Sequence, residues 1–315
     1  ISIERQGPCS FEDNSFINNT GLSGGAIRFE SVESPVILRR NLFSGNKASL
    51  NGGAIFESLS FSTGLFTIEN NTFYGNEATN KGGGLVISNG AIVRNNTFSH
   101  NKAGTQGGGS AYIGSAYLYN NILANNAGGG ECTASGFGSA VGHHNLIENG
   151  SGLCSKLTNT IISDPMLGSI ADNGGFTQTM ALNAGSPAID AADDVNCLPT
   201  DQRGVTRPQG SHCDIGAYEY NSLDSAVDVM VEGSEVASYE LSPHESQRKS
   251  FPGVNNGPLQ IVNKNGVSML AAERVIYKVK GVDTSFSEMM ALPNSALENI
   301  YWLPWYNNLG LDTQL

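Results

Sequence analysis

The sequence predicts an all-β chain, a parallel β-helix followed by a smaller β module, and three observations carry that prediction. First, between about Phe11 and Ile147 one phrase recurs: Asn, any residue, a large apolar residue, two more residues, then Asn. Its copies centre on Phe16, Phe43, Phe73, Phe98 and Leu123, with a weaker sixth on Ile147, so the steps are 27, 30, 25, 25 and 24 residues. Self-similarity at such a period marks stacked repeats. Second, a Gly-Gly pair tracks the phrase at Gly24-Gly25, Gly52-Gly53, Gly82-Gly83 and Gly107-Gly108. Third, the intervening runs are strand-length and rich in β-branched residues, as in Val36-Ile-Leu38, Phe66-Thr-Ile68 and Leu85-Val-Ile87, bounded by turn formers. No unit holds a helix-length stretch of 3.6-residue periodicity, which excludes leucine-rich and helical repeats.

Each element follows from that architecture. In a coil of this length every strand pairs with its counterpart one coil away, so equivalent residues stack. The apolar anchors stack inside. The flanking amides form two Asn ladders, one of Asn14, Asn41, Asn71, Asn96, Asn121 and Asn145, the other of Asn19, Asn46, Asn76, Asn101 and Asn126. Stacked amides bond the residue above and below. In the sixth copy the second Asn slips to Asn149. Charges alternate in two further columns: Glu12, Arg39, Glu69, Arg94 and Lys47, Glu77, Lys102. Opposite signs in register attract, so both columns are expected as exposed ion-pair ladders on a solvated face, not as catalytic groups. Variation in step length belongs to the turns.

Composition bounds the function. The chain has 315 residues, a net charge of −12, 15% charged residues and 39 Gly. That length allows two domains, placed at 1–220 and 221–315. An acidic balance argues against nucleic acid, which needs clustered Lys and Arg. No apolar run is long enough to span a bilayer. The chain opens within the repeat pattern, so the expectation is a piece of a longer protein, with residues 1–10 finishing a preceding coil and Cys9 left from an upstream pairing. Asn18, Asn70, Asn95 and Asn149 satisfy the Asn-x-Ser/Thr sequon; ladder geometry accounts for the repeated Asn-Asn-Thr better than glycosylation does. Cys132 and Cys154 stand 22 residues apart, close to one coil, so a disulfide between adjacent coils is expected. The alternative is a zinc site built from both thiols with His143 and His144.

The stretch 164–219 reads Asp164-Pro165, Ala171-Asp-Asn-Gly-Gly175, Gly185-Ser-Pro-Ala-Ile-Asp190, Asp201-Gln-Arg-Gly204, Arg207-Pro208 and Cys213-Asp-Ile-Gly-Ala-Tyr-Glu219. With the coils before it, this stretch resembles the choice-of-anchor Q proteins, bacterial surface or secreted right-handed parallel β-helices of the pectin-lyase-like superfamily. Related coils occur in polymorphic outer-membrane protein repeats. The resemblance implies a right-handed helix of about six coils ending in this segment, export, and attachment by a separate C-terminal element. It carries over no catalytic residue. Physically, the segment reads as a cap on the open end of the stack, since an exposed last rung templates aggregation. Cys197 and Cys213 enclose a short loop that a disulfide would staple. Asp190, Asp193, Asp194, Asp201 and Asp214 are the one carboxylate set to weigh as a Ca²⁺ site, against salt bridges to Arg203 and Arg207.

Beyond 220 the repeat stops. Strand-like runs at Val227–Val231, Leu259–Val262, Met269–Lys278 and Thr284–Met289, separated by turn signals, read as an antiparallel β-sandwich module, cut before its last strands. It resembles, more weakly, the β modules that follow β-helices in surface proteins of some filamentous bacteria. Trp302, Trp305 and Tyr306 are either core or a surface that stacks on sugar. The leading functional reading is an extracellular or cell-surface structural or adhesive protein, monomeric and without catalytic activity. One alternative is a non-enzymatic carbohydrate-binding module. The other is a polysaccharide lyase or glycoside hydrolase whose site lies in upstream coils. The carboxylates Glu12, Glu69 and Glu77 form no catalytic pair.

Overall fold

The computed structural model describes residues 1–4, 7–32, 35–58, 65–88, 90–104, 109–134, 140–149, 156–221, 225–231, 233–241, 250–251, 259–264, 273–279, 282–289, 300–303 and 311–314. Two compact units divide the chain, Ile1–Tyr220 and Asn221–Leu315.

In the first unit the chain makes about five turns of a parallel β-solenoid, with three main sheets and a short fourth stack of Thr20–Gly21, Lys47–Ala48 and Glu77–Ala78. The first sheet stacks Ser2–Glu4, Ile27–Glu30, Ile55–Glu57, Leu85–Ile87, Ala111–Ile113 and Cys132–Ala134. Cys9–Glu12, Val36–Arg39, Phe66–Glu69, Ala91–Arg94, Ala116–Tyr119, Ala140–His143 and Lys156–Thr158 make the second. Ser15–Ile17, Leu42–Ser44, Thr72–Tyr74, Thr97–Ser99, Ile122–Ala124 and Leu146–Ile147 make the third. Inside, Phe16, Phe43, Phe73 and Phe98 lie ring over ring, with centroids 4.9, 4.8 and 4.5 Å apart and planes within 11°. Phe43, Phe73 and Phe98 are shut off from solvent, and each stacked pair adds roughly 0.5–1.5 kcal/mol beyond its burial.

The recurring phrase has a geometric cause. Between the second and third sheets the corner residue is left-handed: Asp13, Arg40, Asn70, Asn95, Asn120 and His144 have φ between 51° and 59°. A second corner, after the third sheet, uses Asn18, Gly45, Gly75, His100 and Asn125 in the same way. Asn, Asp and Gly tolerate this backbone best. The residue after each corner is a ladder Asn, turned inward. Asn71, for example, donates Nδ2 to Leu38 O and Asn96 Oδ1, both at 2.9 Å, while its Oδ1 accepts Asn41 N and Nδ2 at 2.9 and 3.0 Å. The Gly-Gly pairs answer a different demand. A Cβ on Gly25 or Gly53 would sit 2.2 or 2.0 Å from the carbonyl oxygen of the equivalent Gly one coil on.

Both ladders stop where the residue type changes. Asn159 takes the left-handed corner next in line, but Thr160 follows it and has no amide to extend the column. In the second ladder the rung after Asn126 is the buried Glu131, whose carboxylate accepts Asn126 Nδ2 at 2.7 Å. Asn149, the slipped copy, is exposed and donates Nδ2 to Glu131 at 3.4 Å.

Residues 164–220 differ from the expected end cap. They run as a strap along the flank of the solenoid, over the outer face of the third sheet. Thr177 Oγ1 donates to Arg40 O, Thr72 Oγ1 to Gln202 Oε1, and Ala217 N to Thr97 Oγ1, while Gly216 N donates to Asn120 O. Below these polar contacts Leu182, Ala188, Ile215 and Tyr218 bury against Ile122 and Leu146. The physical reason lies in the third sheet itself, whose outward positions include Leu42, Ile122 and Leu146. A sheet apolar on both faces must be covered on both.

The second unit contains two four-stranded antiparallel sheets. In one, Ser225–Val231 pairs with both Ser234–Leu241 and Leu259–Asn263, and the last of these with Ile300–Leu303. In the other, Glu273–Val279 pairs with Val282–Met289 and Leu311–Gln314, which also pairs with Ser250–Phe251. Ser234–Leu241 was not foreseen, because SEVASYEL alternates weakly and lacks an apolar run. Trp305 and Tyr306 lie outside the described residues, and Trp302 is placed only as a backbone position in Ile300–Leu303.

Candidate binding face and the strap beside it

Two outward columns pave the second sheet. One runs Ser10, Ile37, Thr67, Ile92, Tyr117 and Val141; the other runs Glu12, Arg39, Glu69, Arg94, Tyr119 and His143. The predicted charge alternation is realised: Arg39 lies 3.8 Å from Glu12 and 3.0 Å from Glu69, and Arg94 reaches Glu69 at 2.6 Å. One expectation needs correcting. Glu69 is not on a solvated face, for its side chain is 1% exposed between two guanidinium groups. The column Lys47, Glu77, Lys102 is exposed, with contacts of 3.5 and 3.4 Å, and is worth roughly 0–1 kcal/mol per pair.

At coils five and six the charges give way to rings. Tyr117, 53% exposed, and Tyr119 lie 6.2 Å apart with planes 11° from parallel. Tyr119 leans on His143 at 4.9 Å, and His143 meets His144 with Nδ1 atoms 2.9 Å apart. Asp193, on the strap, comes within 3.8 Å of His143. The result is an open aromatic platform with a polar rim. It was legible only in part: the His pair stood out in the sequence, but the tyrosines look like ordinary strand residues until register puts them on the outer face. The zinc alternative is not assembled, because Cys132 is buried in the first sheet and disulfide-bonded. Cys154, its expected partner, lies outside the described residues.

The five Asp residues weighed for Ca²⁺ are engaged by protein donors. Asp193 caps the 3-10 turn Asp194–Asn196. Asp194 accepts His212 Nδ1 and Cys213 N at 2.7 and 3.0 Å, and the histidine hydrogen bond holds its carboxyl below the usual range. Asp190 accepts His212 N at 2.9 Å. Asp201 pairs with Arg203 Nε at 2.8 Å and accepts the backbone N–H groups of Arg203, Val205 and Glu219. Asp214 accepts the N–H groups of Asp190 and Tyr220. Arg207, which the sequence offered as a partner for these Asp residues, instead pairs with Glu219 Oε2 at 2.9 Å, both side chains fully buried. Among the described residues no group of three or more His, Cys, Asp and Glu side chains is placed to hold a metal ion.

That cluster makes stability depend on pH. Burial, aided by the charge of Glu219, pushes the Asp214 carboxyl up to about 7. A carboxyl raised on folding keeps a proton that the unfolded chain loses above about 3.9. Its contribution is therefore largest below that value, declines as pH rises toward 7, and is flat beyond. The expected loss across the window is about 4 kcal/mol. Melting temperatures measured from pH 4 to 8 should fall in the native protein and fall less in Asp214→Asn.

Cys197 and Cys213 are bonded across 16 residues of the strap. Loop closure of that length is worth about 3 kcal/mol, so a strong reductant should lower the melting temperature by several degrees. An unchanged value would remove the staple from the account. Sequon positions separate in the same way. Asn70 and Asn95 are buried under the strap, donating to Thr200 O and Asp214 O, whereas Asn18 and Asn149 are exposed. Secreted from a eukaryotic host, the folded protein should carry glycans at Asn18 or Asn149 and none at Asn70 or Asn95, as peptide mass spectrometry would read. Among the described residues no helix is long and apolar enough to cross a membrane. No family model matches this chain, and no curated protein matches it.

Proposed function

We propose that this chain is a stiff, non-catalytic structural or adhesive element of an extracellular or cell-surface protein, with the solenoid as the rod that holds a binding face in place. One observation carries the reading: the polar side chains of the coils are committed to the chain itself. The buried amides bond the next coil, Glu69 is held between Arg39 and Arg94, and the corner residues Asn70, Asn95 and Asn120 are tied to the strap. Such a stack resists bending because each coil is bonded to its neighbours along its whole circuit. Disulfide bonding at Cys197, Cys213 and Cys132 fits an oxidising compartment. The resemblance to choice-of-anchor Q proteins and the sandwich reading of the second unit belong to the same proposal.

A second reading, non-enzymatic carbohydrate binding, is favoured by the platform of Tyr117 and Tyr119. Flat ring faces with a His and Asp rim offer apolar contact and hydrogen bonds side by side. The lyase or hydrolase reading draws no support from Glu12, Asp13, Glu69 and Glu77, which are bound in ion pairs. The test is a panel of bacterial and plant polysaccharides, each with and without Ca²⁺. No turnover is expected; turnover on any of them would overturn the leading reading. Saturable binding that Tyr117→Ser abolishes would establish the second.

A further inference from the structure

The corner at His144 breaks the pattern of the corners before it. At Asn70, Asn95 and Asn120 the left-handed corner residue donates its side-chain amide to a strap carbonyl, Thr200 O, Asp214 O and Asp193 O in turn. His144 holds the same backbone, with φ of 53°, but its ring meets that of His143, the last residue of the strand Ala140–His143. Neighbouring side chains in an extended strand point to opposite faces, and the corner swings these two together. Their Nδ1 atoms lie 2.9 Å apart, with the ring planes 83° from one another. Both residues are half-buried, so an ion with its waters can reach them. Asp193 Oδ2, 3.8 Å from His143 Nδ1, adds a negative charge beside the pair. Tyr119 packs on the His143 ring and limits its rotation.

We propose that Nδ1 of His143 and Nδ1 of His144 form an open chelate for a divalent late first-row transition-metal ion, copper(II) in preference to zinc. Imidazole nitrogens suit such ions and bind zinc at about 2.0–2.1 Å. Two nitrogens at about that distance from one ion, and 2.9 Å from each other, subtend about 90° at it. That angle belongs to a tetragonal copper(II) site, whereas tetrahedral zinc requires the rings to part by about 0.4 Å. Copper(II) also heads the affinity order for nitrogen ligands. Without metal, one Nδ1–H donates to the other Nδ1. The ion takes the place of that proton, which moves to Nε2 of its own ring with no change in net charge. Two side chains are fewer than a structural site closes around an ion, so water fills the remaining positions and the ion exchanges. The site uses neither cysteine of the zinc alternative, and it stands apart from both functional readings.

The full chain, without a polyhistidine tag, is titrated with copper(II) chloride in a non-chelating buffer. It should bind an ion that His143→Gln and His144→Asn each hold about tenfold more weakly or less, since each variant loses one of the two ligands. Asn is the residue of the three preceding corners, so the second variant keeps the backbone, and metal-free melting curves check that both are folded. Electron paramagnetic resonance should show coupling to two ring nitrogens in the native protein and to one in either variant. Zinc chloride should compete for the site about tenfold more weakly than copper, and calcium chloride, whose ion takes oxygen ligands, should not compete. Absence of copper binding would overturn the inference. So would copper held equally well by both variants, or zinc bound as tightly as copper.

Discussion

Replacing Arg207 with Met is expected to lower the unfolding free energy of the solenoid unit by about 3–5 kcal/mol, the cost of stranding one member of a buried ion pair. Arg207 donates Nη1 to Glu219 Oε2 and Asp214 O, and Nη2 to Gly216 O, at 2.7 to 2.9 Å. Without it Glu219 keeps only the backbone N–H groups of Gln209 and Asp214, beside the carboxylates of Asp201 and Asp214. Two controls separate charge from packing. Adding Glu219→Gln removes the stranded charge, so the double variant should be more stable than Arg207→Met alone. The single variant should also recover part of its loss as pH falls. Burial already raises the Glu219 carboxyl, and losing the guanidinium raises it further, so the folded variant takes up a proton before the unfolded chain does. Urea titrations at pH 5 and pH 8 read both effects. Amide exchange at Gly216 and Ala217 localises the damage to the strap. If Arg207→Met unfolds with native stability at pH 8, the strap is not held by this pair.

How much of this was visible in the residues depends on the range of the interaction. Ladders, anchors and charge columns were legible because each is a contact between equivalent positions one coil apart, and equivalence is what a repeat displays. Glu69 was placed correctly in its column but given too much solvent, since a column assigns neighbours along the axis and says nothing of what lies across it. The strap was misplaced for a related reason. Its contacts join Thr72 to Gln202 and Thr97 to Ala217, across 130 and 120 residues, with no periodicity to reveal them. A signal was present nonetheless. Leu42-Phe43, Ile122-Leu123 and Leu146-Ile147 put apolar side chains on both faces of one strand, and a solvated outer face would not have them. The same contrast explains Tyr117, which only the register identifies as outward.

Asn76→Ala should cost more than any single core truncation of comparable size, because it breaks two rungs and fills none. Asn76 is fully buried. Its Oδ1 accepts Asn46 N and Nδ2 at 3.0 and 2.9 Å, and its Nδ2 donates to Phe43 O and Asn101 Oδ1, both at 2.9 Å. Truncation leaves those donors and acceptors without partners in a site closed to water, and each orphaned buried group costs about 1–3 kcal/mol. A total of about 4 kcal/mol or more is expected after relaxation. Asp at the same position retains the acceptor but loses both donations and aims a charge at two oxygens, so it should be no better. The exposed end rung supplies the contrast: Asn19→Ala loses one amide contact that water can replace and should cost about 0.5–1 kcal/mol. Denaturant unfolding of the three variants therefore reads out a gradient from the end of the stack to its middle. Equal costs at Asn19 and Asn76 would mean that the amides act through local corner conformation rather than through the ladder. The stiffness attributed to the rod would then have no source in its side chains.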